Sequence, residues 1–307
     1  MHKLGHNSLA LGLATLILTL FSSAATASET TGSIKVKSIT LGLVSKTWQK
    51  EIEAHFQDFV RYVAKKLGSG PDTEGKVIVA SAPLQMAKLL EEEKVDFYME
   101  SPYPTYLINR VGAAVLLVRR WKSGMAEYRG LIFSRKDSQI DQLEQLQGKM
   151  IAFEDPGSTS GYFLPKVLLL RKGFTLTEKS GHGAKVGQKE IGYVFASTHV
   201  NVVNLVLAKQ VAAGAFSDDD YGALDEKRRA DIKVLAQTDL FPRHLVSVRR
   251  ELDPKVKNRL KEILLSMNQD EEGRAIMLQA DNTTKFDLLP GGEAIVRRKL
   301  VETFRPR

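Results

Sequence analysis

Residues 33–99 alternate between strand-like and helix-like patterns, and this alternation constrains the fold more than any other feature of the sequence. Three stretches are rich in β-branched and apolar side chains, as strands are: residues 33–43, 76–80 and 95–99. Between them lie two stretches with apolar side chains at helical spacing, residues 51–67 and 83–93. Strand–helix–strand order of this length predicts a parallel sheet with right-handed crossover connections.

The same alternation continues along the chain and predicts a second lobe. Further apolar stretches typical of strands are residues 113–119, 128–133, 149–153, 191–195, 211–216, 232–236 and 245–248. We interpret residues 128–133 as the crossover into the second lobe and residues 241–244 as the return. The expected architecture is α/β and two-lobed, with each lobe a mostly parallel sheet flanked by helices. The expected boundaries are residues 28–125 for the first part of lobe 1, 126–238 for lobe 2 and 239–307 for the C-terminal return to lobe 1.

Residues 1–27 have the pattern of a cleavable secretory signal. Lys3 lies in a short polar start, residues 9–21 are apolar and uncharged, and Ala25-Thr26-Ala27 offers small residues for cleavage after Ala27. The apolar run is shorter than the ~20 residues that a membrane-spanning helix needs. We therefore expect a periplasmic protein whose mature chain does not insert into the membrane. An uncleaved anchor is the alternative interpretation.

The composition excludes several kinds of site. The chain has no cysteine, which excludes disulfides, thiolate metal sites and a cysteine nucleophile. It has six histidines and no His-Glu-x-x-His motif, so we expect no metal and no cofactor. The net charge is +8, but the basic residues come singly or in pairs, with acidic runs at residues 91–93 and 218–220. This pattern indicates a solvated basic surface and no nucleic-acid partner.

A hydroxyl-rich loop joins one predicted strand to a predicted helix at residues 155–165. Such a junction points backbone N–H groups and the positive end of the helix dipole at one spot. Ser158, Thr159 and Ser160 add hydroxyl donors there, and Gly161 lets a ligand approach the backbone closely. The loop therefore predicts an anion pocket, with ordinary helix capping as the alternative.

Other polar and aromatic side chains follow predicted strands in the same way: Trp48, Ser101, Tyr103, His199, Asp218 and Asp219. Ligands of open α/β sheets bind at the carboxyl ends of the strands, so these side chains are candidate ligand contacts. Each has a simpler alternative, because a tryptophan can pack at a lobe edge and a histidine or an aspartate run can lie in a solvated loop. Which of the three consecutive aspartates faces the ligand stays open.

The segment Asp-Pro-Gly-Ser-Thr-Ser-Gly-Tyr at residues 155–162 resembles the loop of the phosphate/phosphite/phosphonate substrate-binding proteins of ABC transporters. Ser-Pro-Tyr-Pro at residues 101–104, residues 119–129 and Asp-Pro at residues 253–254 extend the resemblance over about residues 34–306. It implies a type II periplasmic binding protein fold, a small oxyanion ligand and an ABC permease as partner. It also implies ligand roles for Ser158, Thr159, Ser160, the Gly161 amide, Ser101, Tyr103, His199 and Asp218 or Asp219.

A carboxylate beside the ligand restricts what the ligand can be. Asp218 or Asp219 would repel a dianion unless the ligand also carries a donor, such as a P–OH group or an ammonium group. We therefore expect a ligand of the aminoalkylphosphonate or monoprotonated type if either aspartate reaches the site.

Such a chain has two alternative uses. The same fold can serve as a periplasmic ligand sensor for a membrane receptor or histidine kinase, and the sequence does not separate this use from transport. The other use is an enzyme, for example a hydrolase that uses Ser158 or Ser160 as nucleophile with His199. The chain has no Gly-x-Ser-x-Gly elbow, so we do not expect an enzyme.

Overall fold

The computed structural model describes residues 36–68 and 73–305. The strands, in chain order, are β1 (Ser38–Val44), β2 (Glu74–Ala80), β3 (Phe97–Glu100), β4 (Ala114–Lys122), β5 (Glu127–Tyr128), β6 (Gly130–Arg135), β7 (Met150–Phe153), β8 (Thr175–Glu178), β9 (Glu190–Phe195), β10 (Ala213–Ser217), β11 (Ile232–Gln237), β12 (Phe241–Pro242), β13 (His244–Arg249) and β14 (Thr283–Asp287). The helices are α1 (Gln49–Leu67), α2 (Pro83–Glu91), α3 (Pro102–Arg110), α4 (Leu164–Arg171), α5 (His199–Leu207), α6 (Asp218–Ala223), α7 (Glu226–Ala230), α8 (Pro254–Ser266), α9 (Glu271–Gln279) and α10 (Glu293–Phe304).

These strands form two six-stranded sheets and one two-stranded ribbon. The first sheet has the order β14-β4-β13-β3-β1-β2, and the second has the order β11-β6-β10-β7-β9-β8. Strands β1 to β3 and strands β7 to β10 pair in parallel within their sheets. Strand β13 is antiparallel to both of its neighbours, and so is β6. The predicted α/β class, with two sheets flanked by helices, is confirmed.

The first sheet is closed on one face by α1, α8 and α9. Helix α1 buries one side, and its Phe59 is fully buried against Phe286 of β14, with ring centroids 5.9 Å apart. Burying a phenylalanine side chain contributes about 1.5–3 kcal/mol, so this layer is a main source of the stability of the sheet. The sequence of residues 286–292, with Pro290, Gly291 and Gly292, predicts a loop, but Phe286 and Asp287 belong to β14.

The chain runs between the two sheets twice, from β4 through β5 to β6 and from β11 through β12 to β13. We call these two segments the chain passages, and β5 and β12 pair with each other there as the ribbon. Phe241 pairs with Tyr128, and Pro242 pairs with Glu127. Next to the ribbon, Arg120 is only 1% exposed, and its guanidinium contacts Thr283 Oγ1 at 2.7 Å, His244 Nδ1 at 2.7 Å and Asp281 Oδ2 at 3.0 Å. Burial and the neighbouring Arg120 lower the pKa of His244 well below its usual value, so this histidine is neutral. The two passages are thus held by a buried polar network.

The predicted signal peptide, residues 1–27, lies outside the described residues. In the part of the chain that the structure describes, no helix has both the length and the apolar character that crossing a membrane requires. The predicted lobe boundaries stay a prediction.

Candidate functional site

The carboxyl ends of β3 and β7, which belong to different sheets, meet through one threonine. Thr159 follows β7, and its hydroxyl donates to Ser101 Oγ at 3.0 Å. The same oxygen accepts the backbone N–H of Tyr103 at 2.9 Å. Thr159 is 2% exposed, so this contact between the two strand ends is dry. Three predicted site residues are brought together here.

The start of α3 is built so that one amide faces this contact. Pro102 and Pro104 have no N–H group, and the N–H of Thr105 donates to Ser101 O within the helix. The N–H of Tyr103 is therefore directed to Thr159. The Tyr103 ring stacks on Phe163 of the opposite segment, with centroids 3.9 Å apart. Burial raises the pKa of the Tyr103 phenol, so this side chain is a neutral donor.

The hydroxyl-rich loop enters its helix through a π-helical turn, Thr159–Phe163. The N–H of Phe163 donates to Ser158 O at 3.0 Å, and the N–H of Leu164 donates to Thr159 O. Pro165 lacks an N–H, and the carbonyl of Gly161 instead accepts the N–H of Glu154 at 3.1 Å. Turns of this kind are frequent at functional sites.

A carboxylate already lies at the start of this turn. The Ser158 hydroxyl donates to Glu154 Oε2 at 2.7 Å and accepts the N–H of Gly161 at 3.0 Å. A Cβ atom at position 161 would lie 2.5 Å from Glu154 Oε2, so only glycine fits. Burial raises the pKa of Glu154, and the charges of Asp220 and Asp155 raise it further. Ser158 therefore acts as a helix cap in this structure, and Glu154 occupies the approach to the helix terminus.

His199 and Asp220 meet beside this carboxylate. His199 is the first residue of α5, and its Nδ1 lies 3.6 Å from Asp220 Oδ1. Asp220 also closes a capping box with Ser217, whose Oγ accepts the N–H of Asp220 at 3.1 Å. The positive charge that His199 can carry lowers the pKa of Glu154. The ends of β7, β9 and β10 thus share one charged cluster.

Asp219 points the other way, toward the crossover ribbon. Its Oδ2 accepts two N–H groups of Arg243, at 2.8 and 3.1 Å, and the Arg243 guanidinium lies 4.4 Å from the centre of the Tyr128 ring. Burial alone would raise the pKa of Asp219, but Arg243 holds it below its usual value. Asp219 Oδ1 is buried and has no hydrogen-bond partner among the described residues. Asp219 Oδ1 can therefore accept a hydrogen bond from a group outside this ion pair.

Tyr128 lies behind the threonine contact. Burial raises its pKa to about 12, while the nearby hydroxyls of Thr159 and Ser160 lower it. Ser160 is 7% exposed, so its hydroxyl is enclosed with this phenol. The Tyr128 side chain links the hydroxyl-rich loop to Arg243.

Two predicted site residues lie apart from these groups. Asp218 Oδ1 accepts the backbone N–H of Arg129 at 3.1 Å, and Asp218 Oδ2 lies 3.8 Å from Nε of the Arg129 side chain. Both contacts are structural, next to the start of β6. Trp48 is 72% exposed at the start of α1, and its φ of 59° is in the left-handed region that bulky residues rarely adopt. This structure does not bring Trp48 to the threonine contact.

Sequence reasoning did not select Glu154, Tyr128 and Arg243 for the site. Glu154 follows β7 directly, so its position at a strand end was an available signal. Tyr128 and Arg243 flank the two chain passages, and only the pairing of β5 with β12 brings them together. The described residues contain no group of three or more potential metal ligands.

The sequence matches one family model over residues 41–289, described as the periplasmic substrate-binding protein of phosphonate ABC transporters. A curated relative is the phosphate-import protein PhnD of Mycolicibacterium smegmatis. It is 23% identical over 234 residues, which cover 73% of this chain and 70% of the relative.

Solved structures share the fold. The Xanthomonas citri protein XAC2383, solved with ATP bound, is 26% identical with a TM-score of 0.80, over 88% of this chain and 97% of that one. PhnD1 of Prochlorococcus marinus, solved with methylphosphonate, is 15% identical with a TM-score of 0.63, over 87% of this chain and 97% of that one. The predicted type II periplasmic binding protein fold is confirmed by such neighbours. The chain belongs to the phosphonate-type periplasmic substrate-binding proteins of ABC transporters.

Proposed function

We propose that this protein captures a small phosphorus oxyanion, of the phosphonate, phosphite or phosphate type, between its two sheets and delivers it to an ABC permease. The observation that carries the proposal is the Thr159 hydroxyl, which joins the strand ends of both sheets in a dry contact. Two lobes built on these sheets would close around the ligand by bending at the ribbon of β5 and β12.

The donors for the ligand are mostly neutral. Ser158, Thr159, Ser160 and the Gly161 amide would supply one side, and Ser101, Tyr103 and His199 the other. For this, Ser158 and the Gly161 amide would exchange their present partners, Glu154 and Ser158 Oγ, for the ligand. Hydrogen bonds to an anion are stronger than neutral ones, and exclusion of water strengthens them again. Trp48 would form an outer wall after closure.

Asp219 favours a ligand that carries a donor of its own. Its Oδ2 is neutralised by Arg243, while the buried Oδ1 can accept from a P–OH group or an ammonium group. Of the three consecutive aspartates, Asp219 is the one we assign to the ligand, because Asp218 and Asp220 are engaged with Arg129 and Ser217.

The names of the relatives support a phosphorus ligand. The mycobacterial relative is a phosphate-import protein, and the Xanthomonas citri protein at 26% identity is solved with ATP. PhnD1 of Prochlorococcus marinus, which is only 15% identical but has the same fold, is solved with methylphosphonate. Another neighbour with the same fold, SsuA of Escherichia coli, binds aliphatic sulphonates, so sulfonates belong in the test.

Glu154 is expected to oppose anion binding at alkaline pH. Burial raises its pKa, so Glu154 gains its negative charge at a higher pH than an ordinary glutamate does. A second negative charge about 4 Å away costs up to about 4 kcal/mol near a protein surface. Glu154→Gln keeps an acceptor for the Ser158 hydroxyl but removes the charge. We expect this variant to bind methylphosphonate at least about tenfold more tightly than wild type at pH 8.

The measurement is a calorimetric titration of wild type and Glu154→Gln with methylphosphonate at pH 5 and at pH 8, with ethanesulfonate as a second ligand. Comparing the proteins at one pH cancels the protonation of the ligand. The tightening should shrink at pH 5, and exposed Glu144→Gln should behave as wild type. Equal affinities at pH 8 would contradict the role of Glu154. No binding of methylphosphonate, 2-aminoethylphosphonate, phosphite or phosphate by either protein would contradict the proposed function.

A further inference from the structure

A groove of about 1170 Å³ is lined by α3, α8 and α10 and by the segment that joins β14 to α10. Pockets for small organic molecules have volumes of about 300–1,000 Å³, so this groove has room for a molecule much larger than a phosphonate. Residues 114–117 at the start of β4 also line it. Strand β4 runs in the same direction as β3, so the groove lies at the opposite end of the first sheet from Ser101.

The groove carries an unbalanced positive charge. Six cationic side chains line it and only one carboxylate, Glu293, does; the cations are Arg110, Arg250, Lys257, Lys261, Arg297 and Arg305. Glu293 is paired with Arg297 at 3.3 Å, and the other five cations form no ion pair with any described residue. Lys257 and Lys261 lie one turn apart on α8, so they can contact the same anion. Such an excess of one charge attracts a ligand of the opposite charge.

Apolar side chains are exposed in the walls of the same groove. Leu288, after β14, is 59% exposed, and Val301 on α10 is 38% exposed. The floor is closed, because Leu116 and Leu300 are at most 4% exposed, so a ligand lies along the walls and does not enter the sheet. The methylene stems of the lysines on α8 add further apolar surface. The groove therefore offers apolar contacts and cations side by side.

We propose that this groove binds a single-chain organic anion, with its charged head at Lys257 and Lys261 and its alkyl chain against Leu288 and Val301. Hydrogen bonds between an anion and these ammonium groups are charge-assisted and therefore strong. A small inorganic anion would leave the apolar walls in water, and an uncharged chain would leave the cations without a partner. A flat lipid surface does not enter a groove that helices line, so the ligand is a free monomer.

This binding goes beyond the proposed capture of the oxyanion and does not depend on it. The two sites lie at opposite ends of the first sheet, and no residue of one belongs to the other. A failure of either proposal therefore leaves the other untouched.

The test is a calorimetric titration of the whole protein with dodecyl phosphate below its critical micelle concentration. Saturating methylphosphonate is present to fill the proposed oxyanion site. We expect one saturable site. Inorganic phosphate, the head without the chain, should bind at least about tenfold more weakly, because burying two methylene groups already contributes about tenfold. Dodecyl maltoside, a chain without charge, should also bind at least about tenfold more weakly, and equal binding of either compound overturns the proposal.

Two matched pairs of variants test the location. Lys261→Glu should weaken binding of dodecyl phosphate at least about tenfold, and Leu288→Ser at least about fivefold. Their controls lie outside the groove lining: Lys255→Glu on the same helix, and Leu278→Ser, whose leucine is 54% exposed. Both controls should bind within about twofold of wild type. The proposal is overturned if wild type does not bind dodecyl phosphate, or if the groove variants bind as their controls do.

Phosphatidylglycerol vesicles distinguish a free amphiphile from a lipid surface. We expect Lys261→Glu and Lys255→Glu to sediment with the vesicles to the same extent, because a lipid surface does not enter the groove. A loss of sedimentation in Lys261→Glu alone would assign the groove to a lipid surface and overturn the proposal.

Discussion

Thr159→Val is expected to weaken binding of the oxyanion by about 30- to 1000-fold while leaving the stability of the ligand-free protein nearly unchanged. Valine has the shape of threonine, so the change removes the hydroxyl and little else. In the closed form, the N–H of Tyr103 then has no acceptor and Ser101 Oγ loses its donor. Together these losses cost about 2–4 kcal/mol, because the contact is buried.

In the hinge closure proposed above, the contact forms only when the lobes close, so the loss would fall on binding. When the two strand ends separate, water hydrates the Tyr103 N–H and the Ser101 hydroxyl in both proteins. The free-energy cost of losing the hydroxyl would therefore be added to the free energy of closure. Ligand binding drives closure, so this cost would lower the apparent affinity for the ligand. Calorimetry gives the affinity, and thermal unfolding without ligand gives the stability.

Thr175→Val on β8 is the control for this substitution, since Thr175 is exposed and far along the chain from the contact. It should bind as wild type does. If Thr159→Val also binds within about threefold of wild type, the contact between the two strand ends does not contribute to ligand capture.

Arg120→Met should lower the free energy of unfolding by about 3–5 kcal/mol. Methionine fills much of the same volume, but the buried partners of the guanidinium lose their donors. These partners are Thr283 Oγ1, His244 Nδ1, two backbone carbonyls and Asp281 Oδ2. Asp281 keeps its ion pair with Lys122 at 2.8 Å and its side chain is 38% exposed, so the larger part of the cost falls on the buried partners Thr283 and the Ala280 carbonyl.

Thermal unfolding measures this effect, and a fall in Tm of roughly 6–20 °C is expected for a chain of this size. Arg61→Met is the matched control, because its ion pair with Asp58 is exposed by 65% and 58%. An exposed pair contributes about 0–1 kcal/mol, so the control should unfold close to wild type. Equal changes in the two variants would show that the buried network at the chain passages does not hold the fold.

The sequence was sufficient to predict the fold class, because hydrophobic periodicity is local. The stretches around Leu41, Val77 and Ile151 each showed a strand pattern within a few residues, and each is a strand. Strand ends could also be predicted, and parallel strands bring their carboxyl ends to one edge. This reasoning selected Ser101, Tyr103 and Thr159, which the structure brings into contact.

The rest depended on contacts between residues far apart in the chain. Asp219 and Arg243 are 24 residues apart, and Tyr103 and Thr159 are 56 apart, so no local pattern shows which pairs form. Ser158 is predicted as a ligand donor, and no local pattern shows that its hydroxyl bonds to Glu154 in this structure. Trp48 follows a strand as the others do, but a left-handed backbone conformation leaves its ring exposed. Position after a strand identifies candidates, and tertiary packing decides between them.

A crystal structure with 2-aminoethylphosphonate tests the central claim most directly. The account predicts that the phosphonate lies between the start of α3 and the turn Thr159–Phe163, within hydrogen-bond distance of the Ser160 hydroxyl. It also predicts that the ammonium group donates to Asp219 Oδ1. A phosphonate bound away from the start of α3 and the turn Thr159–Phe163 would contradict the account.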